Sequence, residues 1–308
     1  MNETLTVATY NLYLGASLIP TYSARSVPEM AETLRVAHAD AGRTDFPGRA
    51  VVIAELLARQ RPSLVGLQEV ALWEDGDDRC DFLEILMAEL AKHSEYRVAA
   101  IATSVPLAFH TDGRTIGFTD RDALLVRADL TSGESGHQLF TRRFRFPTHP
   151  GIVFTKLRGW CWIDVEIGGR SVRVATTHLE AYEASVAAAQ ADELRDALAA
   201  RPGPVIVLGD LNSGPGQPGS AYEVLTGAGY RDAWPQLHGS ADGFTGEQSF
   251  TLNNEPSALH HRVDHVLWQG GQLRPRHATL LGAHESERLP SGLWPSDHAG
   301  LVTEFVVL

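Results

Sequence analysis

The stretch Val205–Pro215, VIVLGDLNSGP, runs four apolar residues into a glycine, then sets an acid and an amide two positions apart before turning. An apolar run bounded by turn residues reads as a buried strand. Residues two apart on a strand share a face, so Asp210 and Asn212 are expected to aim at one point. Gly209 is expected to let the backbone approach that point closely, and Ser213 to Gly216 ends the strand.

Working outward, other apolar runs end in the same way. TLTVATYNLYL alternates as a half-buried strand and leaves Asn11 near its end. RAVVIAELLARQRP has helical spacing at Val52, Leu56 and Leu57, stops at Pro62 and hands over to the strand SLVGLQEV, which finishes at Glu69. Between them, Gly15 to about Pro47 shows no readable period. A helix over Asp81–His93 leads to the strand YRVAAIAT, and DRDALLVRADL reads as a further strand after a turn at Gly117. GWCWIDVEIGGRSVRVATTHLEA is a hairpin closed by Gly168 and Gly169, and it delivers His178 to a strand end. A helix over Ala184–Ala200 precedes the opening stretch. After it, HHRVDHVLW and HAGLVTEFVVL read as strands around the loop LPSGLWPSDH. Trp160, Trp162 and Trp268 lie inside strand patterns and are expected in the core. Strands outnumber helices and are often hairpin-linked, which predicts a layered α/β or α+β sandwich. No linker or internal repeat divides the chain, so residues 1–308 are read as one domain.

Composition narrows the function. The 308 residues carry 26 Lys and Arg against 38 Asp and Glu, a formal charge of -12, with no run of basic residues. Tight non-specific binding to nucleic acid rests on counterion release by basic groups, and this balance argues against it. A local cation near a site can still override the global charge. The two cysteines, Cys80 and Cys161, lack metal-type spacing and are expected to be free thiols of a reducing compartment. MNETLTVATYNLYLG has neither the basic nor the apolar region of a secretory signal, and no apolar run approaches the roughly 20 residues that span a bilayer. The expected location is therefore cytoplasmic, with a trimmed secreted form left open.

Acids, amides and imidazoles thus recur just past apolar runs: Asn11, Glu69, His178, Asp210, Asn212, Asp264, Asp297 and His298. Taken singly, most have an ordinary explanation as a cap, a turn residue or a solvated side chain. Asp264 is the exception, because an acid inside an apolar strand must find a partner or raise its pKa. Its neighbour His265 points to the opposite strand face and reads as structural. His260 and His261 fit either a pocket rim or a polar loop.

The ordered set YNLYLG, GLQEV, TTHLEA, LGDLNSGP, RVDHVL and PSDHAGL, covering almost the whole chain, resembles the endonuclease/exonuclease/phosphatase superfamily, which includes deoxyribonuclease I and neutral sphingomyelinases. The resemblance implies a four-layer αββα sandwich, two mixed β-sheets packed face to face with helices outside. It implies a divalent-metal-dependent phosphoesterase using Mg²⁺, with Mn²⁺ as a substitute. Glu69 would be a metal ligand, Asn11 would support that ligand or the phosphate, and Asp297 would lie close to the metal. Asp210 would orient the attacking water, Asn212 would bind a phosphate oxygen, and His178 and His298 would flank the scissile phosphate, with Asp264 fixing the tautomer of His298. Arg121 and Arg158 are candidate phosphate-binding cations. The middle strand TDRDALLV lacks the tyrosine of the exonuclease III branch, which argues against an apurinic-site repair enzyme. Together with the acidic balance, this favours a small-molecule or lipid-derived phosphate ester as the partner. A non-specific DNA or RNA endonuclease is the alternative. A catalytically silent binding module is the third reading, disfavoured because every matched position is filled.

Overall fold

Alternate residues of the opening stretch go to different cores, Ile206 and Leu208 to one and Val205 and Val207 to another. The computed structural model describes residues 3–111, 113–147 and 153–308. In chain order the elements are β1 (Glu3–Asn11), α1 (Ile19–Tyr22), α2 (Val27–Arg43), α3 (Phe46–Gln60), β2 (Leu64–Gln68), β3 (Leu72–Asp75), β4 (Asp78–Asp81), α4 (Phe82–Leu90), β5 (Tyr96–Thr111), β6 (Arg114–Arg127), β7 (Ser132–Leu139), β8 (Phe144–Pro147), β9 (Val153–Lys156), β10 (Gly159–Ile167), β11 (Arg170–His178), α5 (Ala184–Ala199), β12 (Val205–Asp210), α6 (Ala221–Gly227), β13 (Arg231–Asp232), α7 (Ala233–His238), β14 (Asp264–Gln269), β15 (Leu273–Leu281) and β16 (Gly300–Val307).

The first sheet has the order β15-β16-β1-β2-β6-β3-β4 with β5 also on β6, and the second β13-β14-β12-β11-β10-β7. Both are mixed, because β1–β2 and β11–β12 are parallel and the remaining pairs antiparallel. Their inner faces share one core: Leu5, Val7, Leu64, Leu124 and Val126 from the first sheet meet Ile163, Val174, Leu208, Val266 and Trp268 from the second. Burying each such side chain stabilises the fold by roughly 1.5–3 kcal/mol. The outer face of the first sheet packs under α2, α3 and α4, and that of the second under α5 and α6. The expected four-layer sandwich is thus the observed one.

Three local expectations are corrected. The stretch read as irregular holds α2, started by the Ser26 side chain accepting from the Glu29 amide and burying Met30, Ala31, Leu34, Ala37 and Ala41. Its apolar face is mostly alanine, so hydrophobic periodicity was weak there and the Ser-x-x-Glu cap was the usable signal. Gly117 is no turn, since β6 already begins at Arg114 and runs through it between β3 and β5. Trp162 is only half-buried, with the Arg173 guanidinium 4.0 Å above its ring. Cys80 and Cys161 are both free thiols. No helix among the described residues is long and apolar enough to cross a membrane.

Candidate active site

The inner-facing positions turn polar where the strands end. Continuing the parity of Leu5 and Val7 reaches Asn11, that of Val172 and Val174 reaches His178, and that of Ile206 and Leu208 reaches Asp210. Counting back from Trp268 and Val266 reaches Asp264, and from Val126 and Leu124 reaches Asp122. Asp210 lies opposite His178 on one neighbour and Asp264 on the other. Polar side chains therefore converge at one mouth of the inter-sheet layer because the alternation carries no apolar residue there.

Asp210 is the hub. Its Oδ2 accepts from Asn11 Nδ2 at 3.1 Å and stands 3.4 Å from His178 Nε2 and 3.9 Å from His298 Nε2, while its Oδ1 accepts from the Asn212 amide at 2.8 Å. Burial, then the nearby Asp264 charge, push its carboxyl up to about 6. Asn212 reaches the cleft by a different route from the expected one. The strand stops at Asp210, and Asn212 takes a left-handed conformation with φ 49°, its side-chain amide donating to the Leu179 carbonyl at 3.0 Å. Gly209 is also needed for another reason than a close approach to the site. Its φ is 148°, and a Cβ there would lie 2.0 Å from the Thr177 carbonyl oxygen of β11.

The two imidazoles differ. His298 Nδ1 lies 2.8 Å from Asp264 Oδ2, and Asp264 is held from its backbone amide by Thr245 Oγ1 at 3.0 Å. Burial pulls His298 down, but the charges of Asp264 and Asp297 and the hydrogen bond to Asp264 outweigh it and hold the ring well above its ordinary value. His178 Nδ1 has no hydrogen-bond partner and stands 4.0 Å from Asp122 Oδ1, whose two oxygens are also unpartnered. Burial, reinforced by Arg158 and Lys156, holds His178 well below its ordinary value. Burial and Asp120 push Asp122 well up. Asp122 was not among the residues singled out from the sequence; the β6 parity is the signal that places it against His178.

Glu69 follows β2 with φ 55°, and its Oε2 accepts from the Leu14 amide at 2.9 Å. The Ser-Asp-His loop is tied to β1 by Ser296 Oγ donating to the Asn11 carbonyl at 2.7 Å. Arg49 of α3, fully buried, donates to the Leu12, Tyr13 and Pro295 carbonyls and so fastens the same junction; nothing in the sequence had singled it out. Burial, opposed by His298 and reinforced by the nearby Glu69 charge, raises the Asp297 carboxyl to about 7. Two carboxylates opposed in this way, with hard oxygen donors and a deficit of positive charge, fit a hard divalent cation. One ligand atom each of Asp210, Asp264 and His298 also lie within 4.8 Å of one another. There, however, His298 Nδ1 and Asp264 Oδ2 already satisfy each other, so the Glu69 and Asp297 side of the cleft is the better match.

Glu69, His178, Asp210, Asn212, Asp297 and His298 all line one cleft of about 440 Å³, and Arg158 lines its flank. Arg121 does not join them. Its guanidinium donates to Asp81 Oδ1 at 2.6 Å and to the Val70 carbonyl at 2.9 Å, holding the segment after Glu69 in place, so the expectation of a phosphate contact from it is corrected. His265 is structural as expected, its Nε2 2.9 Å from the Ser213 carbonyl.

The neighbouring pocket, lined by Pro215, Phe244, His260 and Arg262, lacks Glu69, Asp210 and Asp297. The solved structure of an endonuclease/exonuclease/phosphatase family protein from Bacteroides thetaiotaomicron matches with a TM-score of 0.62 at 16% identity, covering 100% of this chain and 96% of that one. An endonuclease/exonuclease/phosphatase from Beutenbergia cavernae matches with a TM-score of 0.60 at 19% identity over 99% of this chain and 72% of that one. D. rerio TDP2 complexed with single strand DNA product matches with a TM-score of 0.57 at 18% identity over 98% of each. At such identities these likenesses establish the fold. No curated protein matches the chain. The model of the Endonuclease/Exonuclease/phosphatase family matches residues 8–298, and the chain belongs to that family of metal-dependent hydrolases of phosphoester bonds.

Proposed function

We propose that the protein is a divalent-cation-dependent phosphodiesterase whose substrate is a small-molecule or lipid-derived phosphate ester, hydrolysed by attack of water. The observation that carries this reading is the convergence of His178 and His298, each with Nε2 within 4 Å of Asp210 Oδ2, at the mouth of the inter-sheet layer. Glu69 and Asp297, supported by Asn11, would hold the cation. When bound, the cation neutralises charge on the non-bridging oxygens, and Mg²⁺ is the expected ion with Mn²⁺ as a substitute.

The remaining work falls to side chains. Asp210 accepts the proton of the attacking water, being ionised once the pH exceeds about 6. His298, kept protonated by Asp264, turns Nε2 toward the cleft and can protonate the leaving oxygen. His178, kept neutral, offers a hydrogen bond to a phosphoryl oxygen, and the Asn212 side chain holds another. Leu18, Ile19, Tyr22 and Phe250 form an apolar lip on the same cleft, with Ile19 and Phe250 exposed. That lip, in a chain of charge -12, supports an apolar substituent over duplex DNA.

A nuclease is the second reading, favoured by the likeness in fold to TDP2 with its single strand DNA product. A magnesium-dependent panel of sphingomyelin, inositol phosphates, nucleotides, RNA and plasmid DNA tests both. Turnover confined to the nucleic acids would reject the first reading, and full activity in excess chelator would reject the metal mechanism.

A further inference from the structure

Arg49 of α3 is fully buried, and none of its hydrogen bonds goes to a carboxylate. Nε donates to the Thr44 carbonyl at 2.9 Å, Nη1 to the Leu12 and Pro295 carbonyls at 2.5 and 3.1 Å, and Nη2 to the Tyr13 carbonyl at 3.1 Å. A buried cation is costly, and an apolar side chain of similar volume is often as stable in its place. The guanidinium carbon lies 5.0 and 5.7 Å from the ring centres of Phe46 and Phe82, and methionine would fill that space as well. What methionine cannot supply is a planar fork of diverging donors.

The carbonyls that this fork holds lie outside the strands. Leu12 and Tyr13 follow the end of β1, with Tyr13 left-handed at φ 55°, and Pro295 lies in the loop before β16. Each is a short step from a residue of the cleft. The Tyr13 amide donates to Asn11 Oδ1 at 3.0 Å, and the Leu14 amide donates to Glu69 Oε2 at 2.9 Å. Pro295 leads into Ser296, whose Oγ donates to the Asn11 carbonyl at 2.7 Å, and then into Asp297. Nη1 bonds both segments, so a single nitrogen spans from the loop that supports Glu69 to the loop that carries Asp297.

We infer that Arg49 is a positioning residue that fixes Glu69 and Asp297 relative to each other and thereby makes their site select Mg²⁺ over Ca²⁺. Mg²⁺ demands near-octahedral oxygens at about 2.0–2.1 Å, whereas Ca²⁺ accepts about six to eight at about 2.3–2.6 Å in flexible arrangements. Two carboxylates on separate loops meet the first demand only when the loops cannot drift apart, and a guanidinium bonded to both prevents the drift. The inference rests on the reading of Glu69 and Asp297 as ligands of the cation and adds what sets their selectivity.

The test is calorimetry of the intact protein with Mg²⁺ and with Ca²⁺, the site being the binding that Glu69→Gln removes. Arg49→Lys keeps the charge and loses the fork. Its Mg²⁺ affinity is expected to fall by at least about tenfold, the usual size of a lost support to a metal ligand, and its Ca²⁺ affinity by less than about threefold. Ser296→Ala removes the other tie between the same two segments and is expected to move the Mg²⁺ to Ca²⁺ ratio the same way, by about threefold. If Arg49→Lys does not fold, Ser296→Ala decides, and an unmoved ratio overturns the inference. Val174→Ala, in the inter-sheet core, is the control for lost stability: its melting point is expected to drop with the ratio unchanged. Equal loss of both ions in Arg49→Lys, no loss of either, or the same shift in Val174→Ala overturns the selection by Arg49. Mg²⁺ binding that survives Glu69→Gln overturns instead the reading of the ligands, and the inference with it.

Discussion

The two histidines of the cleft, His178 at the end of β11 and His298 in the loop before β16, sit in environments that drive them in opposite directions. His298 has a carboxylate hydrogen-bonded at 2.8 Å and is held protonated; His178 has none nearer than 3.4 Å, two buried cations nearby, and is held neutral. Burial is the same for both. The difference teaches that distance to the acid, and the sign of the next charge, decide which imidazole can give up a proton.

The comparison can be broken most severely at its shared partner. Asp210→Asn is expected to cut kcat by at least ~10²-fold with the fold intact, because both imidazoles and the attacking water lose the same carboxylate. Near-normal turnover by that variant would remove Asp210 from the mechanism. His298→Ala is expected to cost a further distinct ~10²-fold in kcat, with His178 unable to substitute because it carries no proton to give.

A sharper test separates the dyads. Asp264→Asn is expected to lower the pKa of His298, so that the alkaline limb of the kcat profile moves to lower pH, with a loss of about tenfold at pH 8. Asp122→Asn is expected to leave that limb in place, since Asp122, its carboxyl pushed well up by burial, faces His178 and not His298. An NMR titration of the imidazoles reads the same contrast directly: His298 should stay charged and His178 uncharged across pH 6 to 7.

The smallest expected effect concerns stability without metal. Asp297 has a raised folded-state pKa of about 7, so the native state holds a proton there that the unfolded chain has released. Its contribution is fully present below the unfolded carboxyl pKa and is lost as pH rises through about 7. In chelator at pH 8, Asp297→Asn should therefore be more stable than the unsubstituted protein by at least about 1 kcal/mol, and at pH 4 no more stable. Added magnesium should reverse the order at pH 8. Equal melting at both pH values would show that Asp297 feels no unmet charge.

Much of the site was legible before any coordinates. The strand-end positions of Asn11, His178, Asp210 and Asp264 follow from apolar runs that stop, and the pairing of Asp264 with His298 followed from the family resemblance and is the 2.8 Å contact observed. Helix α2 was missed because its buried face is mostly alanine, and the Gly117 turn was misplaced because a glycine inside a long strand looks like punctuation. Arg121 and Arg158 looked alike as single basic residues on strands. Only packing turned the first onto Asp81 and left the second unsatisfied beside the cleft.

By itself, then, the sequence determined which faces of which strands are apolar and where each runs out, because side-chain alternation is a local property of the backbone. Tertiary structure alone decided which polar ends meet, how far each carboxylate stands from its imidazole, and which cations stay free. Those are set by sheet register and strand crossing between residues as distant as Asn11 and Asp210, and electrostatic energies in a buried cleft change steeply over the one or two ångströms that register controls.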